Sequence, residues 1–431
     1  MVQPSPYTPG EIARDVPGRD KQLAEIGERL SYMTELQRLV GRIRVDHAPR
    51  GIGKTSLLRQ AQRRAEDMGA ATVWVTAGEA IALIPAIASA IERDARGWDA
   101  EGRGRVRTAL EHLDLKIAGG VPGVASVEAT WRGATSRRSP AGLMGAAREF
   151  EDLVAAAVDA GREQGRRGLV LLVDEVQAAD PESLRTLSYA WQHFQSERPD
   201  LPAAVFAAGL PDSVALINQA VSNSERFAYR QLDDLPHDAA LIALVSPAHQ
   251  LGVTWEQDAL EMAVDYAAGY PHTLQLVGDN TWREAGLPDP GAQLTTTHVR
   301  GALDSVAADI EELYTARLSK VTNPNDIRLV RALASLGDGP VRRAALADAM
   351  GVASDALGVP RSRLRGAGII TDTAHGYVAF TIPGFVGHVR RTLGIDDSLA
   401  ESTGPPPAHS GAERERREPP RGGRDSSGPR R

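Results

Sequence analysis

The chain contains no cysteine, which excludes disulfides, thiol nucleophiles and cysteine metal sites and fits a reducing compartment such as the cytoplasm. It also lacks any apolar run long enough to span a bilayer. The opening Met1-Val2-Gln3-Pro4-Ser5-Pro6 has neither the basic start nor the apolar stretch of an export signal. A soluble, cytoplasmic protein with no membrane partner is therefore expected. The ten histidines fall at no metal-binding spacing, and no internal repeat stands out. An excess of positive charge is missing too. A net charge of -7 over 431 residues argues against a protein that coats nucleic acid with its whole surface, while leaving room for one basic face.

What is present is an ordinary globular composition, 42% apolar and 24% charged, with length for two or three domains. The organising stretch is Ala48-Pro49-Arg50-Gly51-Ile52-Gly53-Lys54-Thr55-Ser56-Leu57-Leu58. Glycines at 51 and 53 let consecutive backbone N–H groups curl around an anion, Lys54 reaches outer phosphates, and the Thr55 hydroxyl takes one position on Mg²⁺. Leu57, Leu58, Ala61 and Ala65 then recur at helical spacing, so a helix N-terminus points its partial positive charge at the same place. The usual first glycine of the phosphate-loop pattern is replaced by Ala48, which tightens the mouth of the loop.

Downstream, Leu169-Val170-Leu171-Leu172-Val173 runs directly into Asp174-Glu175. A short apolar run of this kind predicts a strand buried on both faces of a parallel sheet, and its carboxyl end is where ligands collect in open α/β sheets. In phosphate-loop NTPases such an aspartate holds Mg²⁺, and a neighbouring carboxylate orients and deprotonates the attacking water. The alternative is a strand end capped by two solvated acids. ATP and Mg²⁺ are accordingly the expected ligands.

Around these motifs the pattern predicts strands at residues 42–46, 71–76, 203–208 and 226–232, alternating with helices. The polar-apolar alternation of the first makes it weak for a central strand. Residues 96–145, with Gly119, Gly120 and Gly123 and with Arg132, Arg137 and Arg138, read as an irregular insertion. From Pro236 the periodicity is helical only. Residues 325–395 then predict three helices followed by a two-stranded hairpin, the order of a winged helix-turn-helix, and locally basic. After about Ser398 the composition predicts disorder. The fold class expected is α/β, a phosphate-loop NTPase αβα sandwich with a helical lid and a C-terminal winged helix. Its expected divisions are an N-terminal segment (1–35), the ATPase core (36–235), the lid (236–320), the winged helix (321–397) and the tail (398–431).

With these residues in place, the chain resembles an Orc1/Cdc6-like AAA+ ATPase of the actinobacterial type, near the STAND and archaeal-ATPase families, over residues 6–395. The resemblance rests on Gly18-Arg19, Gly51 to Thr55, Leu172-Val173-Asp174-Glu175, Ala208-Gly209-Leu210-Pro211, Gly269-Tyr270-Pro271 and the C-terminal winged helix. It implies that Val16 to Arg19, including Gly18, lies against the adenine. The nucleotide contacts it implies are Pro49, Arg50, Gly51, Ile52, Gly53, Lys54, Thr55 and Ser56, with Pro271 from the lid. Thr55 and Asp174 would hold Mg²⁺ and Glu175 would prepare the water. The strand ending at Ala208 offers no Asn, Thr or Ser as a γ-phosphate sensor, and the family's lid arginine is replaced near Pro271-His272, which implies slow hydrolysis. Arg226 occupies the place of an arginine that acts on a neighbouring subunit.

Two functional expectations remain open. In one, a nucleotide-controlled switch contacts duplex DNA through Arg361, Arg363 and Arg365 of the third winged-helix helix, although alternating residues on a helix cannot all share one face. In the other, a STAND-type signalling or scaffold ATPase uses the same unit against protein. A homo-oligomer or another protein is the expected macromolecular partner besides DNA.

Overall fold

The computed structural model describes residues 3–78, 80–113, 140–222, 224–373, 376–382 and 384–395. The expected disordered tail, the glycines and arginines singled out between 119 and 138, and Ala374 and His375 of the hairpin turn lie outside the described residues.

The first half of the chain runs through α1 (Asp20–Thr34), β1 (Ile43–His47), α2 (Lys54–Asp67), β2 (Ala71–Thr76), α3 (Leu83–Ala95), α4 (Ala100–His112), α5 (Pro140–Glu163), β3 (Leu169–Asp174), α6 (Pro181–Glu197), β4 (Ala203–Gly209), α7 (Ser213–Ala220) and β5 (Phe227–Gln231). The five strands form one parallel sheet in the order β2-β3-β4-β1-β5. Strands β3 and β4 are buried along their whole length, and apolar throughout except for Asp174 at the end of β3, as strands covered on both faces must be. Because side chains alternate across a strand, Leu169, Leu171 and Val173 pack with Ile87, Phe150 and Trp191 of the helices on one face. Val170 and Leu172 meet Leu30, Leu57 and Leu58 of α1 and α2 on the other.

The alternating strand β1 lies between β4 and β5. Its polar residues are buried, with Arg44 0% and Asp46 3% exposed. Two residues apart on a strand, they share a face. Arg44 donates to both Asp46 carboxylate oxygens (2.8–3.1 Å) and to Glu25 Oε2 of α1 (3.0 Å). The strand thus buries an ion pair where hydrophobic residues were to be expected.

Part of the expected irregular insertion is regular. In α4, Asp99 caps the helix by accepting from the Gly102 N–H (2.7 Å), and Val106, Ala109 and Leu110 join the core. That cap and apolar face outweigh Gly102 and Gly104.

The chain continues through α8 (His237–Gln250), β6 (Thr254–Trp255), α9 (Gln257–Ala267), α10 (Pro271–Glu284), β7 (Gln293–Leu294) and α11 (Thr296–Leu318). Strands β6 and β7 form a short parallel pair, a departure from the helix-only expectation too brief for periodicity to reveal. Tyr7 crosses from the N-terminal segment into this helical layer. Its hydroxyl donates to Leu244 O (2.5 Å) and accepts from Trp255 Nε1 (3.0 Å), and its ring meets Trp255 and Trp282 edge-on.

Last come α12 (Pro324–Ser335), β8 (Val341–Arg342), α13 (Arg343–Met350), a 3-10 turn at Ser354–Leu357, α14 (Gly358–Gly366), β9 (Ile370–Asp372), β10 (Tyr377–Phe380) and α15 (Phe385–Leu393). The expected third helix is thus split, and the expected hairpin gains β8 to become an antiparallel sheet of order β8-β10-β9. The sequence of elements agrees with the winged-helix order. Leu329, Leu333, Leu346, Leu364, Val378 and Phe385 form its core, which Tyr314 of α11 also enters. No helix among the described residues is long and apolar enough to cross a membrane.

Candidate nucleotide site

The loop between β1 and α2 is set by backbone geometry at its glycines. Gly53 is left-handed (φ 89°) and caps α2. Gly51 is also left-handed (φ 81°), and a Cβ there would collide with Tyr270 and His272 at the start of α10, so glycine is required on both counts. Lys54 begins α2 and is 7% exposed. Its Nζ folds back to donate to Pro49 O (2.8 Å). Burial pushes its ammonium down to about 8, opposed by the Glu175 and Asp174 carboxylates.

The Thr55 hydroxyl donates to Asp174 Oδ2 at 2.8 Å, joining the loop to the end of β3. Burial raises the Asp174 carboxyl above its ordinary range, against the hydrogen bonds from Thr55 and the Glu175 N–H. Glu175 itself is left-handed (φ 53°, ψ 40°), an unfavourable conformation for a non-glycine residue that turns its side chain away from the strand. Its carboxylate accepts from Gln177 Nε2 and lies 3.6 Å from Arg50 Nη1. Gln177 in turn accepts from the Leu210 N–H after β4 (2.9 Å).

These residues fit a Mg-nucleotide. Thr55 and Asp174 supply hard oxygens, and no group of three or more potential protein ligands occurs among the described residues. Mg²⁺ is commonly held in that way, by one or two protein oxygens with phosphates and water completing the shell. The turned-back lysine and the loop N–H groups supply the matching cation and donors.

The other expected contacts divide into two groups. Ser56 accepts from the Ala13 N–H (3.0 Å), and Ile52 is buried beneath the loop. Val16 and Pro17 line a cavity of about 720 Å³ together with Gln60 and Arg64 of α2 and Ile242 and Gln275 of the helical layer. Gly18 and Arg19 face elsewhere: Gly18 backs onto Ala239, and buried Arg19 donates to Ile52 O (3.3 Å) and Asp233 O (2.6 Å). Arg19 therefore braces the loop from behind. Pro271 opens α10 directly after Tyr270.

Sequence reasoning placed Tyr270 in Gly269-Tyr270-Pro271 but gave it no role; its hydroxyl donates to Arg50 O at 2.6 Å and so latches the helical layer onto the loop. It also missed Arg317 near the end of α11, whose guanidinium is lowered by burial while feeling Arg50, Tyr270 and Glu175. The local sequence of neither marks its partner, because both arrive from elements distant in sequence.

The remaining predicted residues lie away from the loop. Arg226 ends a 3-10 turn before β5, and Phe227 pairs with Ile43 at the start of β1. It is thus at the opposite end of the parallel strands from Lys54, at least about 13 Å along the strand. Its Nη1 donates to Gln195. Arg361 and Arg365 of α14 are largely buried and turn to Asp372, at 3.3 and 2.7 Å. Arg363 pairs with Asp326 at 2.5 Å.

A family model described as an AAA ATPase domain matches residues 15–205. The matched region contains the loop, Asp174 and Glu175. Residues 311–389 match a family described as a domain of unknown function (DUF8462). No curated protein matches the chain in sequence. Among solved structures, the ADP form of the Aeropyrum pernix ORC2 protein is similar at 14% identity, over 91% of this chain and 98% of that one, with a TM-score of 0.54. The chain therefore shares the fold of that protein. Aeropyrum pernix ORC1 in complex with DNA is similar at 14% identity, 89% and 94% coverage and TM-score 0.42. For the Thermotoga maritima RuvB Holliday junction branch migration motor the values are 14%, 86%, 95% and 0.39.

Proposed function

We propose that the chain is an ATP-binding switch with slow Mg-dependent ATPase activity, in which nucleotide controls whether the C-terminal unit is docked or free to contact duplex DNA. The observation that carries this reading is the docking itself. A side chain at Gly368, after α14, would meet the Arg50 guanidinium 2.8 Å from its Nε, and Arg365 Nε lies 4.0 Å from Asp212 Oδ2 of the core. The C-terminal unit thus rests on the arginine of the phosphate loop, the element most directly affected by nucleotide.

In the proposed reaction, Lys54 and the loop N–H groups hold the phosphates, and Thr55 and Asp174 hold Mg²⁺, which neutralises charge developing on them. Glu175 accepts a proton from the attacking water, with Gln177 and Arg50 fixing its carboxylate. The Val16-Pro17 cavity supplies space for the nucleoside. Arg361 and Arg365 are masked in the docked state and become available for phosphate contacts on release, while the cytoplasm is the expected compartment.

The test is duplex DNA binding by the full chain, with and without ATP, across a salt series. Binding that appears only with ATP and is lost in Lys54→Ala supports the switch. Equal DNA binding in both states overturns it.

A second reading is favoured by the carboxylates that occupy Arg361, Arg363 and Arg365. In this reading the chain is a STAND-type signalling or scaffold ATPase whose C-terminal unit packs on protein. No duplex binding at low salt in any nucleotide state, combined with ATP-dependent self-association or capture of a defined protein, would select it.

A further inference from the structure

A second cavity, about 680 Å³, lies between the core and the C-terminal unit. The core contributes His47, Ala48 and Pro49 just ahead of the phosphate cradle, but none of Gly51 to Ser56 lines it. The C-terminal unit contributes Arg343, Arg361 and Arg365. Against these three guanidiniums the lining offers one carboxylate, Asp372.

The unusual feature is how many buried polar atoms here lack a hydrogen-bond partner among the described residues, although Arg365 Nε has the Asp212 carboxylate 4.0 Å away. They include Arg343 Nε, Arg361 Nη1, Arg365 Nε, His47 Nδ1 and Thr371 Oγ1. Arg361 Nε sits 3.3 Å from Asp372 Oδ1 without the alignment of a hydrogen bond. Thr371 is only 3% exposed, so water at the surface cannot serve it. Buried donors are normally paired, and leaving several unpaired around one space is costly. Guanidinium donors match the oxygens of carboxylates and phosphoryl groups, and three of them around one space suit the more highly charged phosphoryl group.

The rest of the lining has a different chemistry. Tyr229 and Phe380 present rings, and Asn218, Gln219 and Gln231 present amides. Rings and amides suit a flat heterocycle with hydrogen-bonding edges. The volume falls in the usual range for small-molecule sites, roughly 300–1,000 Å³, and is too small for a duplex.

We propose that this cavity is a second ligand site, taking a phosphorylated small molecule of mononucleotide size, with Arg343, Arg361 and Arg365 on the phosphate. It is separate from the phosphate-loop site and does not depend on the ATPase reading. Because its walls come from both units, a bound mononucleotide ties the C-terminal unit to the core.

The experiment uses full-length Lys54→Ala, so that the phosphate loop contributes no binding. It is titrated calorimetrically with each of the four common nucleoside 5′-monophosphates and with inorganic pyrophosphate. At least one mononucleotide is expected to bind, and Arg343→Gln or Arg361→Gln is expected to weaken it ten-fold or more. Arg343 makes no ion pair among the described residues, so its replacement leaves packing intact, and an unchanged melting temperature without ligand checks this. Thr371→Val provides a second, nearly isosteric variant, expected to lose several-fold. The proposal is overturned if no mononucleotide binds at millimolar concentration, or if binding ignores all three substitutions. It is equally overturned if only pyrophosphate binds, or if the arginine variants weaken duplex DNA binding while no mononucleotide binds. Loss of ATP binding by the parent chain would count against the phosphate-loop reading and not against this one.

Discussion

Arg50 Nη1 lies 3.6 Å from Glu175 Oε1, so a cation of the phosphate loop faces the carboxylate proposed to activate water. Tyr270 holds the backbone of that same arginine, and Gly368 of the C-terminal unit lies against its guanidinium. One residue therefore touches the loop, the proposed base, the helical layer and the C-terminal unit.

The proposed division of labour separates two variants. Lys54→Ala removes the cation aimed at ground-state phosphates and should abolish ATP binding, read by calorimetry. Glu175→Gln keeps the loop intact and should bind ATP normally while losing turnover by about 10² to 10⁴-fold, the usual contribution of a general base. Turnover of Glu175→Gln at the parent's rate would remove Glu175 from the role.

Lys54 also links the stability of the chain to pH. Burial lowers its ammonium from 10.5 to about 8, so between those pH values the unfolded chain binds more protons than the folded one, and folded stability rises with pH. Below about pH 8 the folded state carries the full cost of the buried charge, on the order of 3 kcal/mol. Without nucleotide, Lys54→Met should therefore unfold at higher denaturant than the parent at pH 7. The gap should close as pH rises from 8 toward 10.5. A gap independent of pH would mean that packing, not charge, separates the two.

The ion pair inside β1 makes a prediction about stability alone. Asp46→Ala leaves the Arg44 guanidinium, 0% exposed, with only Glu25 as partner, and should cost about 3–5 kcal/mol. Replacing both residues together by Arg44→Met and Asp46→Leu should cost much less, because no buried charge is left unpaired. Chemical unfolding of the two variants reads the difference. Equal losses would show that the pair acts through shape.

The same strand shows how far the sequence could be read. The apolar runs of β3 and β4, the glycine-lysine loop and the acidic pair were legible because each is a local pattern with one physical meaning. β1 was only weakly legible because its polar residues neutralise each other across a spacing of two, which looks like solvent exposure in one dimension. The helix at Ala100–His112 was hidden by its glycines, and its Asp99 cap was passed over. Tyr7, Tyr270 and Arg317 were illegible for a different reason: each acts on a segment far away in the chain, and nothing at its own position marks the partner. Arg361 and Arg365 were visible as charges, but the carboxylate that turns them inward, Asp372, lies on the following strand.

Arg226 lies at the end of the strands opposite its own phosphate loop, so any catalytic role must be played in a neighbouring subunit. Its Nη1 is held by Gln195 while its Nε has no hydrogen-bond partner among the described residues, which leaves part of the guanidinium uncommitted. An arginine supplied to a phosphoryl-transfer site can raise turnover by roughly 10³ to 10⁵-fold, because it meets charge that develops only in the transition state. Complementation isolates this role. Lys54→Ala cannot bind ATP yet offers Arg226, whereas Arg226→Ala binds ATP yet offers no cation. Each should be inactive alone, and mixing them should restore part of the parent's ATPase rate, since some interfaces then join an intact loop to an intact arginine. The restored rate should rise and fall with the mixing ratio, with its maximum where such interfaces are most numerous. A mixture as inactive as its components, under conditions where the parent sediments as an oligomer, assigns Arg226 to the turn before β5 and to nothing else.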